Sequence, residues 1–155
     1  MESLQQLGLL GLFIGTFLAA TFIPFSSDAL FVGILAATKD PLGCLVVGTL
    51  GNWLGGITSY LLGRLAKWEW VEKAFRIKPE TLEKQKERID KYGIWGLLLF
   101  VAIPLPGTGG WTGALLASLL HLDKKKSFGV ICVGVFIAGL IITVLSLIVG
   151  AAVFG

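Results

Sequence analysis

The sequence predicts an all-α integral membrane protein whose two halves are joined by one charged segment. Composition is the first observation: 55% of the 155 residues are hydrophobic and only 15% are charged. A soluble domain carries roughly 25% charged residues, so an ordinary water-soluble fold is excluded. Two uncharged runs, 42–63 and 127–155, each supply the about 20 apolar residues that cross a bilayer core. The third observation is a proline break within each remaining apolar stretch.

These prolines predict two re-entrant hairpins. In the first half Pro24 falls between two apolar segments, and in the second half Pro104 and Pro106 follow the ten residues 94–103. Ten helical residues rise about 15 Å, half of the roughly 30 Å hydrocarbon core. Proline removes a backbone donor and clashes with the preceding turn, so a helix should break at each point. We therefore expect each hairpin to enter and leave the membrane by the same face.

The distribution of basic residues predicts the orientation. With two hairpins and two full spans, one side of the membrane carries Lys39 and both chain termini, and the other carries the remaining twelve of the 13 Lys and Arg residues. The positive-inside rule then places the central loop in the cytoplasm and both termini outside, in a multi-pass protein of the cell membrane. Charge does not distinguish a re-entrant hairpin from two thin spans, but helix length favours the hairpin.

The central segment, about residues 67–91, is the one stretch of soluble character. Pro79 and Glu80 suit a helix start, and apolar residues then recur among charged ones, as in an amphipathic helix on the cytoplasmic membrane surface. A solvated connector is the alternative. Its eight basic and six acidic residues are balanced, which argues against a nucleic-acid partner.

The two halves, about residues 1–66 and 92–155, share one order of elements: apolar stretch, proline break, short stretch, polar link and long span. Because one span separates the hairpins, they must enter from opposite faces. This arrangement is an inverted-topology repeat within a single membrane domain, as in many secondary transporters. The wall of a pathway through so small a protein is expected to need a second copy, which makes a homodimer the expected partner.

Asp28 is the leading candidate for a functional residue, because it lies beside the first break with apolar sequence on both sides. An acid within a membrane segment is costly and by default indicates a proton, ion or substrate site. The alternative is that Asp28 caps the second half-helix by accepting backbone N–H bonds. Hydroxyl groups extend the candidate site at both breaks, from Ser26, Ser27, Thr108 and Thr112.

Two further features could hold an anion. Gly107, Gly109 and Gly110 expose backbone N–H groups beside a half-helix N-terminus, where the dipole favours a phosphate; alternatively they only permit the turn. Arg64 either snorkels to the interface or faces inward as a partner for Asp28 or a phosphate. Because the sequence holds no Ser/His/Asp set, paired carboxylates or Cys/His cluster, we expect neither an enzyme nor a metal or other cofactor.

Several motifs invite comparison with known families. They are Pro24-Phe25-Ser26-Ser27-Asp28-Ala29-Leu30, Gly51-Asn52-Trp53-Leu54-Gly55-Gly56 and Tyr60-Leu61-Leu62-Gly63-Arg64. These resemble the YqaA branch of the DedA membrane proteins, in the VTT or SNARE-associated Golgi protein superfamily. Residues 103–114 are similar to proteins described as small multidrug exporters.

The resemblance implies two facing re-entrant hairpins that move lipids between leaflets, undecaprenyl phosphate in bacteria and phospholipids in eukaryotes, with proton coupling often proposed. It would put the family's acidic position on Asp28 and its Gly-Arg ending on Gly63 and Arg64. DedA proteins carry arginines around the second proline motif, whereas residues 100–107 hold none. We therefore predict a small transporter or flippase for a lipid, either a polyprenyl phosphate or a phospholipid. A multidrug cation exporter and a non-transporting assembly factor are the alternatives.

Overall fold

The computed structural model describes residues 2–21, 27–65, 79–103 and 110–154, and the ordered elements within these ranges are all α-helices. They are α1 (Glu2–Ala19), α2 (Ser27–Thr38), α3 (Pro41–Leu65), α4 (Pro79–Ala102), α5 (Gly110–Leu119) and α6 (Lys124–Phe154). In this part of the chain α3 and α6 are long and apolar enough to cross a membrane. The all-helical class is confirmed, and the two predicted spans correspond to these two helices.

The helices stop on either side of both predicted breaks. Helix α1 ends before Pro24 and α2 begins after it, while α4 ends before Pro104 and α5 begins after Pro106. The three prolines themselves lie outside the described residues. Proline thus coincides with a helix interruption in each half, as its missing donor requires.

Helices α1 and α2 form an antiparallel pair. A side chain built at Gly8 would meet Thr38, and one built at Gly15 would meet Leu30, so residue numbers fall along α2 as they rise along α1. This pair packs on α3, with α1 running parallel to it.

The contact between α1 and α3 depends on small residues. A methyl group at Gly55 would lie only 2.5 Å from the carbonyl oxygen of Phe17 and 2.6 Å from the Ala20 Cβ. One turn further along α3, the Ser59 hydroxyl donates to the Ala20 carbonyl at 2.6 Å. The backbones therefore approach as closely as glycine permits, a packing mode common between membrane helices.

The second pair, α4 and α5, approaches α3 from its other end. Gly113 of α5 packs against Val101 of α4. A methyl group at Gly56 of α3 would lie 3.2 Å from the carbonyl oxygen of Gly110, where α5 begins. Helix α5 then follows α3 towards Gly63, which contacts Ser118. The end of α1 and the start of α5 consequently lie beside the middle of α3, while the open ends of the two pairs lie at its opposite ends.

Helix α6 runs antiparallel to α3 and closes the bundle. The Tyr60 hydroxyl donates to the carbonyl of Leu122 at 3.0 Å, and the Trp53 indole N–H donates to the carbonyl of Phe128 at 2.9 Å. The Tyr60 and Phe128 rings meet edge to face, with centroids 5.1 Å apart. These bonds fix the register of the two long helices.

The junctions that lead into α3 and α6 are alike. Lys39 and His121 follow α2 and α5 in the left-handed region, with φ of 53° and 54°. Asp40 and Asp123 then cap α3 and α6, each accepting a bond from a backbone N–H three residues on, at 2.8 Å and 2.9 Å. Such a cap satisfies one of the free N–H groups of the first turn. The polar links of the two halves therefore share one local geometry.

Helix α4 includes part of the predicted amphipathic segment. It begins at Pro79, as the sequence suggests, and bends at Gly93, where φ is 58° and ψ is −137°. Residues 67–78 of that segment lie outside the described residues, and its position on a membrane surface stays a prediction.

Large apolar side chains point outward from the bundle. On α1 they recur every three or four residues at Leu7, Leu10, Ile14 and Leu18, which are between 39% and 65% exposed. The exposed faces of α3 and α6 are similarly rich in Leu, Ile and Val. A continuous apolar exterior around an interior that holds glycine and hydroxyl groups is typical of a protein surrounded by lipid.

Candidate functional site

A cavity of about 40 Å³ lies at the middle of the bundle, where the starts of α2 and α5 approach each other between α3 and α6. One buried water needs about 10–15 Å³ by this measure, so the cavity has room for about three. Pockets for drug-sized ligands start at about 300 Å³. The polar side chains that line the cavity come from α1, α2 and α3 and are Thr16, Ser27, Asp28, Thr49 and Asn52.

The two helix starts meet at Asn52. Its side-chain amide donates to the Ser27 hydroxyl over a long 3.4 Å, and Asp28 follows Ser27 in the first turn of α2. The other end of the amide, Oδ1, contacts Gly110, the first residue of α5. A methyl group at Gly110 would overlap this oxygen, so the Asn52 side chain keeps this position only because residue 110 is glycine. Asn52 thus connects the beginning of α2 with the beginning of α5.

Two buried oxygen atoms in this cavity lack hydrogen-bond partners among the described residues: Thr49 Oγ1 and Asn52 Oδ1. Thr49 differs from other threonines of these helices. The hydroxyls of Thr58 and Thr143 bond to the carbonyl four residues earlier, at 3.0 Å and 2.8 Å, as threonine in a helix commonly does. The Thr49 hydroxyl instead faces α6, where a methyl group built on Gly139 would lie 3.7 Å away. Both oxygen atoms can therefore accept a hydrogen bond from a ligand in the cavity or coordinate it.

The structure brings together only some of the predicted site residues. Asp28 and Ser27 line the cavity. Thr112 is buried on α5 but is not among the lining residues. Ser26 and the second-break residues Gly107, Thr108 and Gly109 lie outside the described residues.

Arg64 lies apart from Asp28. It is exposed near the end of α3, and its guanidinium carbon is 6.0 Å from the Tyr60 ring centroid. Twelve residues separate it from Asn52 on the same helix, a rise of about 18 Å. An arginine side chain does not span that distance, so Arg64 is not a partner of Asp28 in this structure. Of the two roles considered for it, the interfacial one fits its position.

Sequence analysis missed Thr16 and Thr49. One signal was available for Thr49: it precedes Asn52 by three residues, which puts both polar side chains on one face of α3. Nothing comparable marks Thr16, whose hydroxyl bonds to the Leu12 carbonyl at 2.8 Å like an ordinary helix threonine.

Comparisons with known proteins point to a membrane protein family. The chain is 39% identical over 75 residues to the inner membrane protein YqaA of Escherichia coli strain K12, a match covering 45% of this chain and 53% of that protein. It is 34% identical over 97 residues to a protein of Haemophilus influenzae described as uncharacterized, covering 57% of each. The chain thus spans about half the length of the curated relatives it matches. No solved structure matches.

The predicted likeness to YqaA is confirmed, whereas the wider link to the DedA and VTT proteins stays a prediction. An inner-membrane relative, together with the apolar helices, assigns the chain to a membrane. One family model matches residues 27–141, well over half of the chain. The chain belongs to the family described as "Putative small multi-drug export protein".

Proposed function

We propose that this protein is a membrane transporter for amphiphiles with a cationic head group, which bind in the cavity where α2 and α5 begin. One observation carries the proposal: Asp28 is the single ionisable side chain among the described residues that line the cavity. A cation taken out of water needs a negative partner, and a membrane-embedded acid supplies it. The export of drugs named in the family description is consistent with such a substrate.

Transport would use the two helix pairs as the moving parts. In this proposal they are re-entrant hairpins of an inverted repeat, and one rocks against the other to expose the site to each side in turn. Their approach to α3 from opposite ends supports this, as do the matching junctions at Asp40 and Asp123. A cavity of about 40 Å³ is too small for a drug-sized head group, so substrate would enter after one pair has moved.

A lipid flippase is the second candidate. Ser27 and Gly110 begin α2 and α5, and both line the cavity. Helix N-termini favour anions such as the phosphate of a phospholipid or polyprenyl phosphate. The Asp28 carboxylate would repel that phosphate, and Arg64 is too distant to offset the repulsion. The cationic substrate is therefore the better match, and proton coupling through Asp28 is an option for either one.

Proteoliposomes test both candidates. Uptake of tetraphenylphosphonium and movement of fluorescent phospholipid and polyprenyl phosphate would be measured for the unmodified protein, Asp28→Asn and Asp40→Asn. Asp40→Asn is the matched control, because asparagine also caps helices and Asp40 lies outside the cavity. We expect Asp28→Asn to abolish cation uptake and Asp40→Asn to retain it.

Other results of the same assay would distinguish the candidate functions. Lipid movement without cation uptake would select the flippase. Cation uptake that survives Asp28→Asn would contradict the role given to that carboxylate. A folded protein that moves neither class would overturn transport and favour an assembly factor.

A further inference from the structure

We propose that the central cavity binds a sodium ion through the Asp28 carboxylate, Thr49 Oγ1 and Asn52 Oδ1. The role of the ion as the coupling cation rests on the proposed transport function, but its binding is measurable without transport. Thr49 and Asn52 both belong to the long span α3.

The chemistry of the free groups identifies a hard cation. Thr49 Oγ1 and Asn52 Oδ1 are buried and unpartnered among the described residues, and both face the same cavity as the Asp28 carboxylate. Because they are three residues apart on a helix, their Cβ atoms are about 5–6 Å apart, close enough to share one ligand. Carboxylate, hydroxyl and amide oxygens suit hard cations, and a buried acceptor without a donor is destabilising until one binds.

The hydrogen-bond network orients these acceptors. The Ser27 hydroxyl oxygen accepts a hydrogen bond from the Asn52 side-chain NH₂ group. Because the NH₂ group of Asn52 is bonded to Ser27, the Oδ1 atom of the same amide points away from Ser27. The Thr49 hydroxyl likewise makes no hydrogen bond to the carbonyl four residues earlier. The negatively charged carboxylate of Asp28 and the neutral oxygens of Thr49 and Asn52 thus belong to residues that line one cavity.

Local electrostatics favours a cation over an anion. Each helix terminus carries about half a charge: positive at the N-termini of α2 and α5, negative at the C-terminus of α4, whose following residue Ile103 also lines the cavity. With the full negative charge of Asp28, the balance is about half a negative charge. Carbonyl groups at half-helix C-termini are also known to coordinate sodium in transporters.

Charge and size select a monovalent ion. One carboxylate neutralises one positive charge, whereas a divalent ion would leave a net positive charge in the apolar interior. The cavity volume of about 40 Å³ accommodates a small ion together with a few coordinating waters. A proton on Asp28 would give its carboxyl group a single O–H donor, enough for only one of the two free oxygens. A hydrated sodium ion satisfies all three groups at once.

Sodium binding also suggests how coupling would work. The ion and the cationic head of a substrate both require the Asp28 carboxylate, so they cannot occupy it together. Binding of one would displace the other, which gives exchange across the membrane by competition for a single site. The small cavity would correspond to the ion-bound form, and opening of one hairpin to the substrate-bound form.

The test uses purified full-length chain in detergent at fixed pH and ionic strength. Equilibrium binding of ²²Na⁺ and the thermal unfolding midpoint would be measured in sodium, potassium and choline chloride. We expect about one sodium ion per chain and a midpoint that rises with sodium but not with choline, since a ligand that binds only the folded state stabilises it.

Three variants localise the site. Thr49→Val should weaken sodium binding by about tenfold, the loss of one neutral ligand. Gly139→Ala removes no ligand but fills the space that the Thr49 hydroxyl faces, with a methyl group 3.0 Å from Leu45 Cδ1 and 3.7 Å from Thr49 Oγ1, so it should weaken sodium binding less than Thr49→Val does. Thr58→Val is the control on the same helix, since the Thr58 hydroxyl already bonds to the Leu54 carbonyl at 3.0 Å. Midpoints in choline chloride report whether each variant folds.

Several outcomes would overturn the site. Stabilisation equal in sodium and choline would mean that water alone fills the cavity, and a response to pH without one to sodium would mean that a proton is the ligand. Equal sodium affinity in Thr49→Val and Thr58→Val would remove Thr49 from the site. If sodium binds as expected but proteoliposomes move no substrate, the transport function fails while the ion site stands.

Discussion

The close contact between α1 and α3 makes Gly55→Ala a sharp test of the fold. The new methyl group would lie 2.5 Å from the Phe17 carbonyl oxygen, 2.6 Å from the Ala20 Cβ and 3.1 Å from the Thr21 hydroxyl oxygen. The first two atoms belong to or stand directly on the backbone, so they cannot move aside by changing a rotamer. Relief requires α1 to shift away from α3, which would also widen the cavity.

The magnitude follows from two opposing terms. Overpacking of a well-packed interior costs about 1–3 kcal/mol, and replacing glycine by alanine in a helix returns up to about 1 kcal/mol. Gly11→Ala on α1 isolates the second term, because no neighbouring atom lies within 4 Å of a methyl group at that position. The two variants should therefore differ in their free energy of unfolding by about 1–3 kcal/mol, the cost of the overlap alone.

Denaturant unfolding in detergent micelles measures this difference, with tryptophan fluorescence as the signal. Trp53 is a suitable reporter because its indole N–H is bonded to the carbonyl of Phe128 across α3 and α6. Gly55→Ala should be clearly less stable than Gly11→Ala. Equal stability would refute the close approach of α1 to α3, and with it the position of the cavity wall that Thr16 contributes.

Three further changes test other contacts of the structure. Gly110→Ala should displace the Asn52 side chain and lower ²²Na⁺ binding while leaving the protein folded; unchanged binding would argue against Asn52 as a ligand. Tyr60→Phe leaves the Leu122 carbonyl without its donor and should lower the free energy of unfolding by about 1 kcal/mol in the same denaturant assay; no loss would refute that hydrogen bond. Asp123→Ala should cost about 1 kcal/mol and speed amide exchange in the first turn of α6, whereas the asparagine variant should behave normally; equal exchange would contradict the cap.

Features that follow from local rules were predictable from the sequence. Uncharged length indicates the spans, and both correspond to α3 and α6. Proline is not tolerated beyond the first turn of a regular helix, so the ends of α1 and α4 fall before Pro24 and Pro104. Pro79 marks the start of α4 for a similar reason. Each of these predictions needs only the residue and its immediate neighbours.

The position of Arg64 relative to Asp28 could be determined only from the three-dimensional structure. A terminal arginine on an apolar helix can turn towards lipid headgroups or towards the interior, and sequence does not weigh the two. The answer depends on where along α3 the starts of α2 and α5 lie. They meet beside Asn52 and Gly56, well short of Arg64, so the arginine lies too far along the helix to pair with Asp28.

Thr49 shows why the polar cavity could not be predicted from the sequence. A threonine in an apolar helix can always bond to the carbonyl four residues earlier, so its presence alone predicts no cavity. Only the neighbours decide whether the hydroxyl takes that bond, and here Gly139 of α6 leaves open the space towards which the Thr49 hydroxyl points. The same argument holds for Asn52, whose free oxygen depends on Ser27 occupying its NH₂ group. A buried oxygen that lacks a hydrogen-bond partner is therefore a better indicator of a ligand than the polar residue as such, and in the described part of this chain two residues with such oxygens line one cavity with Asp28.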